Sequence, residues 1–174
     1  MPTESSKARR IVFIGAECTG KSSIAQALAE RLREPWSSEY VRQYVDRLDR
    51  PLEASDLEPI ARGQLRLEDD AYAKAAQYVF HDTNLLSSIL YAERYFDAHI
   101  EWVDEAFRNR RYDRYFFCQP DIPWEADPGQ RESPQARAEF HALFESILKR
   151  FRIPYSPLEG SLEQRLNTVL ETGI

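Results

Sequence analysis

The sequence predicts an α/β fold, an open five-stranded parallel sheet flanked by helices, and three observations predict it. Short apolar runs alternate with amphipathic stretches along the 174 residues. The first run, Ile11-Val12-Phe13-Ile14, leads directly into Gly15-Ala16-Glu17-Cys18-Thr19-Gly20-Lys21-Ser22 and then into a helix-like stretch. No hairpin signal joins two neighbouring runs.

Taken in order, Arg10 to Ala16 reads as the first strand, continuously apolar as a strand buried on both faces should be. A helix follows from Lys21 to about Arg33, with Ile24, Ala25, Leu28 and Leu32 on one face, before Pro35. Trp36 to Glu39 is a short second strand, weakened by its serines, and Tyr40 to about Leu48 is helical. Ser55 and Glu58 have the spacing of a capping box that opens a long helix to about Gln77. Tyr78 to Asp82 is the third strand, followed by helices over Leu85 to Asp97 and Ile100 to Arg110. Tyr112 to Cys118 is the fourth strand. Asp121 to Ser133 has prolines and acids without an apolar period and reads as a mobile lid loop. Ser133-Pro134 starts a helix to about Arg150, Pro154 to Leu158 is the last strand, and Ser161 with Gln164 boxes a final helix through Leu170. One domain over 1–174 is expected, with 1–9 a flexible lead.

The charge balance is acidic, at -6, which argues against a general nucleic-acid binder. No apolar run is long enough to span a bilayer, and Cys18 and Cys118 form no metal or disulfide framework. A cytoplasmic protein with reduced thiols is expected.

The octapeptide GAECTGKS matches the phosphate-binding loop pattern G-x-x-x-x-G-K-[ST] in the strand-to-helix setting that pattern needs. Gly15 and Gly20 let the backbone approach a phosphate, and the N–H groups of Glu17, Cys18, Thr19, Gly20, Lys21, Ser22 and Ser23 can form an anion nest. Lys21 brings charge to the outer phosphates, and Ser22 offers a hydroxyl to Mg²⁺. ATP and Mg²⁺ are therefore the expected ligands, although no Asn-Lys-x-Asp pattern selects guanine and the choice of base stays open. In parallel sheets ligands sit beyond the carboxyl ends of the strands. Asp82 ends the third strand there, which suits a metal-binding or catalytic carboxylate, while Asp82-Thr83-Asn84 also suits a helix cap. Glu39, Tyr40 and Arg42 end the second strand and face the same crevice, as a hydroxyl base, a ring contact and a phosphate contact, or else as an ordinary helix start. In the lid loop, Arg131 suits a phosphoryl-stabilising role and Trp124 a ring contact; a surface Arg and a packed Trp are the other reading. Tyr91, Tyr95 and Phe96 recur at helical spacing, as core or as the floor of a base pocket.

Together GAECTGKSS, SEYVRQYV, VFHDTN and YDRYFFCQPDIPWEADPGQR resemble, in order and over nearly the whole chain, the NadR-type ribosylnicotinamide kinase domains and their wider family of phosphate-loop ATPases. The resemblance implies a nucleoside-kinase-like phosphate-loop fold with a lid. It also implies an ATP-dependent kinase for the 5′-hydroxyl of nicotinamide riboside. By the match Lys21 and Ser22 hold phosphates and metal, Asp82 lies near metal and acceptor, with Glu39 the rival base, and Arg131 serves the lid. Glu39, Tyr40, Arg42, Asn84 and Trp124 fall on the nucleoside side. Ser38 stands where relatives often carry an aromatic residue, and Asn84 where many carry an acid, so a different nucleoside or small alcohol is the alternative acceptor. A non-catalytic ATP- or GTP-binding switch is the alternative of another class.

Overall fold

The computed structural model describes residues 7–126 and 133–174. Its sheet has five parallel strands in the order β2-β3-β1-β4-β5. These are β1 (Arg9–Ile14), β2 (Trp36–Ser37), β3 (Tyr78–Asp82), β4 (Arg114–Cys118) and β5 (Ser156–Leu158). The helices are α1 (Lys21–Leu32), α2 (Tyr40–Val45), α3 (Leu57–Tyr72), α4 (Leu85–Phe96), α5 (Glu101–Asn109), α6 (Pro134–Arg150) and α7 (Leu162–Glu171).

Because side chains alternate along a strand, β1 supplies both layers of the core. Val12 and Ile14 join the cluster formed with α4, α5 and α6, including Leu86, Phe107 and Phe144. Ile11 and Phe13 join the opposite cluster with Ile24, Leu28, Leu166 and Val169 of α1 and α7. In β4, Tyr115 and Phe117 face the first cluster, and Phe116 and Cys118 the second. Phe13 stacks between Phe80 and Phe116 of its two neighbours, with ring centroids 6.4 and 5.7 Å away. The central strands therefore read as unbroken apolar runs because neither face meets water.

Several boundaries differ from the sequence reading. Strand β1 begins at Arg9, whose N–H bonds Gln77 O, so the lead is shorter than 1–9. Strand β2 is two residues rather than four: Trp36 and Ser37 pair with β3, and the Ser37 hydroxyl bonds His81 Nδ1 at 2.7 Å. Helix α2 stops at Val45, short of Leu48. The capping box expected from Ser55 is absent; Ser55 is exposed, and Asp56 instead accepts from Glu53 N at 2.8 Å in a 3-10 turn, Ala54–Asp56. Helix α3 stops at Tyr72 rather than Gln77, because the Glu34 carboxylate captures Ala76 N and Gln77 N at 2.9 and 2.7 Å. Strand β4 begins at Arg114, since Tyr112 turns its hydroxyl to Glu68 (2.7 Å) and Asp113 accepts from Arg10 N (2.9 Å). The Ser133 and Ser161 caps stand as read. No described helix is long and apolar enough to cross a membrane.

Candidate active site

The loop from Gly15 to Ser22 leaves β1 at the carboxyl edge of the sheet, beside the ends of β3 and β4. Gly15 has φ 147, and a Cβ there would lie 2.8 Å from the Cys118 carbonyl oxygen, so only glycine lets the loop pass the end of β4. Gly20, at φ 83, turns the chain into α1, and Cys18 is also left-handed at φ 51. Within the loop, Thr19 Oγ1 donates to Ala16 O (2.8 Å), and the buried Lys21 ammonium donates to the same carbonyl at 2.7 Å. Ser23 is exposed on the first turn of α1.

Ser22 donates its hydroxyl proton to Asp82 Oδ2 at the end of β3. Asp82 is 1% exposed, and burial together with the nearby Glu39 carboxylate raises its pKa to about 6, against the opposing pull of Lys21 and Arg42. Its Oδ1 is buried and has no hydrogen-bond partner among the described residues. Such an oxygen fits a donor brought by a ligand: a hydroxyl, a water, or the hydration shell of Mg²⁺. Ser22 and Asp82 are therefore chemically suited to a magnesium site, and no group of three or more His, Cys, Asp and Glu side chains that could hold a metal occurs among the described residues.

The residue after Asp82 holds it in place. Thr83 is β-branched yet sits at φ 66, an unfavourable backbone region for that side chain. Its N–H bonds Phe13 O at 2.9 Å and its hydroxyl bonds Ser87, which keeps the strand end in that conformation. Asn84 adopts the helix-cap role. It is fully buried, its Oδ1 caps α4 by accepting from Leu86 N (3.1 Å), and its Nδ2 donates to the Tyr115 hydroxyl (2.9 Å). Both ends of its amide are engaged within the fold.

Across the crevice, Glu39 precedes α2 and accepts from Arg42 Nε at 3.1 Å; its side chain is 12% exposed. Tyr40 packs its ring on Gly63 of α3, where a Cβ would come within 1.9 Å of the ring, and its N–H bonds Gln64 Oε1 at 2.9 Å. Tyr91 stands near the same acids: burial first, then Glu39, Tyr95 and Glu17, hold its hydroxyl well above the usual phenol range. Its ring stacks on Tyr95, with centroids 5.9 Å apart and planes 3° from parallel, and lies 5.1 Å from Phe140. Of the aromatic set, Tyr91 packs at the core margin, and Tyr95 is 46% exposed.

Two arginines outside the sequence-derived set bind the phosphate loop. Arg165 of α7 is 2% exposed; it donates to Thr19 O (2.6 Å), Gln119 O (3.1 Å) and Gly160 O (3.0 Å) and pairs with Asp121. Arg137 of α6 donates to Cys18 O (3.2 Å) and Ile122 O (2.8 Å). A signal for Arg165 lay in the sequence: helical spacing puts it on the apolar face of Leu162, Leu166 and Val169. For Arg137 there was none. These contacts, with Cys18 Sγ donating to Pro123 O (3.5 Å) and accepting from Glu125 N (3.4 Å), fix the segment from Asp121 to Glu125 against the loop. The described first part of the expected lid loop is thus anchored, and half-buried Trp124 sits in that anchored part. Arg131 lies outside the described residues.

His81 is structural, as read: burial lowers its pKa to about 3. Cys118 is buried, with its thiol pushed up to about 12 by that burial, and both cysteines are free.

The AAA_28 family model, described as an AAA domain, matches residues 10–165. The Trifunctional NAD biosynthesis/regulator protein NadR of Escherichia coli (strain K12) is 28% identical over 159 residues, 87% of this chain but 38% of the relative. The NadR of Salmonella typhimurium (strain LT2) is 28% identical over 155 residues, covering 84% of this chain and 37% of the relative. The chain thus spans less than two fifths of these curated relatives. Among solved structures, a NadR protein in complex with NR superposes with a TM-score of 0.80 at 24% identity, over 97% of this chain and 52% of the other. Thymidylate kinase from Ehrlichia chaffeensis gives 0.70 at 14% identity, over 96% and 99% of the two chains. The resemblance to NadR-type kinase domains and the nucleotide-kinase-like sheet are borne out by these matches.

Proposed function

The chain belongs to the AAA_28 family of AAA domains, and from that premise we propose that it transfers the γ-phosphoryl group of ATP to the 5′-hydroxyl of nicotinamide riboside, giving nicotinamide mononucleotide. The observation that carries the reading is the pairing of Ser22 with Asp82, which joins the phosphate loop to a buried carboxylate at the end of β3 with Glu39 close by. A switch that only senses nucleotide uses the loop and a magnesium-side acid but has no need of a further carboxylate such as Glu39 in the crevice. The NR complex of the structurally similar NadR and the two NadR relatives support the choice of acceptor.

In this reading the loop N–H groups from Glu17 to Ser23 and the start of α1 receive the phosphates, and Lys21 exchanges the Ala16 carbonyl for a phosphate oxygen. Ser22 and Asp82 would hold Mg²⁺, which supplies neutralisation of charge on the outer phosphates. Asp82 is the carboxylate assigned to the acceptor: its Oδ1 accepts the hydrogen bond of the attacking hydroxyl and orients it in line. Glu39 is the rival for that proton, and otherwise grips the ribose with Arg42 beside it. Tyr40 and Trp124 flank the nucleoside. The acids near Tyr91 favour a cationic ring such as a pyridinium over a neutral base.

Incubating the protein with Mg-ATP and a panel of nucleosides, with ADP release as the readout, tests this. Nicotinamide riboside is expected to give the largest increase over water. Turnover with another nucleoside alone would reassign the acceptor, and bound nucleotide with no acceptor-dependent ADP release would favour the switch.

A further inference from the structure

A cavity of about 770 Å³ opens at the amino ends of the strands, the pole opposite the phosphate loop. It is walled by the start of β1, the end of α3 and the segment between α5 and β4. Five cations, Lys7, Arg9, Arg10, Arg110 and Arg111, meet two carboxylates there, and both carboxylates are already matched. Asp69 accepts two hydrogen bonds from Arg110 (2.6 and 3.1 Å), and Asp113 accepts from Arg111 Nε (3.0 Å) and Arg10 N (2.9 Å). Lys7 and Arg9 have no ion pair among the described residues; Arg10 pairs through Nη2 with Asp69 at 3.5 Å, while its Nη1 is buried without a hydrogen-bond partner among them. The positive charge left over faces a concave surface, which suits an anion.

The other wall is flat and apolar. The Arg10 guanidinium lies over the Tyr72 ring, 4.0 Å from its centroid, beside Leu65 and Ala106. Planar guanidinium and aromatic surfaces stack well on heteroaromatic rings. The volume falls in the range of about 300–1,000 Å³ that holds a small organic ligand and far exceeds what inorganic phosphate would fill.

We propose that this cavity is a second binding site, separate from the phosphate loop, for a ring-bearing phosphate of the nucleotide class. Its phosphate meets Lys7, Arg9 and Arg10, and its ring lies on the side of Tyr72 and Leu65. The site does not depend on the kinase reading, because none of its residues belongs to the crevice.

The test is calorimetric titration of AMP into Lys21→Ala protein, in which the phosphate loop is disabled. AMP is expected to bind, and Lys7→Glu with Arg9→Glu in that background is expected to weaken it by about tenfold or more, the loss of two charged contacts. Tyr72→Ala is expected to weaken AMP while leaving inorganic phosphate unchanged. With Lys21 intact, the charge-reversed protein is expected to bind a non-hydrolysable ATP analogue normally, which excludes misfolding. No AMP binding to the Lys21→Ala protein, binding indifferent to the charge reversals, an equal loss at the phosphate loop, or phosphate binding as tightly as AMP would each overturn the proposal.

Discussion

Ser22 and Asp82, 60 positions apart in the chain, are joined side chain to side chain by a hydrogen bond. The bond ties the start of α1 to the end of β3, so the position of the buried carboxylate relative to the phosphate loop is set before any ligand arrives. Asp82→Asn keeps the shape and removes the charge. It is expected to lower kcat by about 10²–10⁴-fold, the usual contribution of a positioned acid or base, with nucleotide affinity within a few fold. Steady-state rates with equilibrium binding of an ATP analogue check this, and an unchanged kcat would take Asp82 out of the catalytic set.

Arg165 holds three carbonyls and Asp121 from a nearly inaccessible position. Arg165→Ala leaves those acceptors without a donor and is expected to destabilise the fold by about 3 kcal/mol or more and to weaken nucleotide binding through the displaced loop. Arg165→Lys is expected not to restore either, because an ammonium cannot present the same fork. Urea denaturation of both variants decides it; a lysine variant as stable as the parent would reduce Arg165 to a simple charge.

Gly63 is dictated by a side chain rather than by its backbone angle, since the Tyr40 ring occupies the place of a Cβ. Gly63→Ala is expected to cost about 1–3 kcal/mol, as overpacking does, and to raise the acceptor KM by shifting Tyr40 while the KM for ATP stays put. In a Tyr40→Ala background the same substitution should lose most of its effect. Additive costs in that cycle would show that the two residues do not collide.

Glu68 gives the fold a pH dependence. It is fully buried, and that burial raises its pKa to about 7 despite the Tyr112 hydrogen bond and Arg110. Its folded value lies above the unfolded one, so the folded state holds more protons between about pH 4.5 and 7, and this contribution to stability is lost as pH rises through that window. His81, lowered to about 3, works the other way, losing stability as pH falls below the ordinary imidazole range. Glu68→Gln should therefore gain on the wild type from pH 5 to about pH 7 and level off above it, at no more than about 1.4 kcal/mol per pH unit for one proton. A difference between the two proteins that stays flat with pH would show that Glu68 does not titrate in the folded state.

The sheet was legible where strands are buried on both faces, because Ile11 to Ile14 and Tyr115 to Cys118 leave no polar alternation to misread. It was not legible at edges and helix ends, where one distant group decides. Glu34 stops the alanine-rich end of α3 from 42 positions away, and the Ser37–His81 bond defines a strand of only two residues. In the crevice, spacing alone located Lys21 and Ser22, and the end of a strand located Asp82. Asn84 takes the helix-cap reading that Asp82-Thr83-Asn84 offered, and its further bond to Tyr115 links it to a strand 31 positions away, which local sequence does not reveal. Thr83 gave no warning, since its strain lies in a backbone angle, and Arg137 acts on carbonyls that carry no mark in the sequence.

The contact from Arg165 to Thr19 spans 146 residues. During synthesis the phosphate loop is therefore made 146 residues before the guanidinium that clamps it. A ribosome-bound intermediate lacking α7 has the whole octapeptide and the strand that presents it, yet not the clamp that sets its geometry. The geometry of the phosphate loop is thereby tied to the docking of α7, a helix remote from it in sequence.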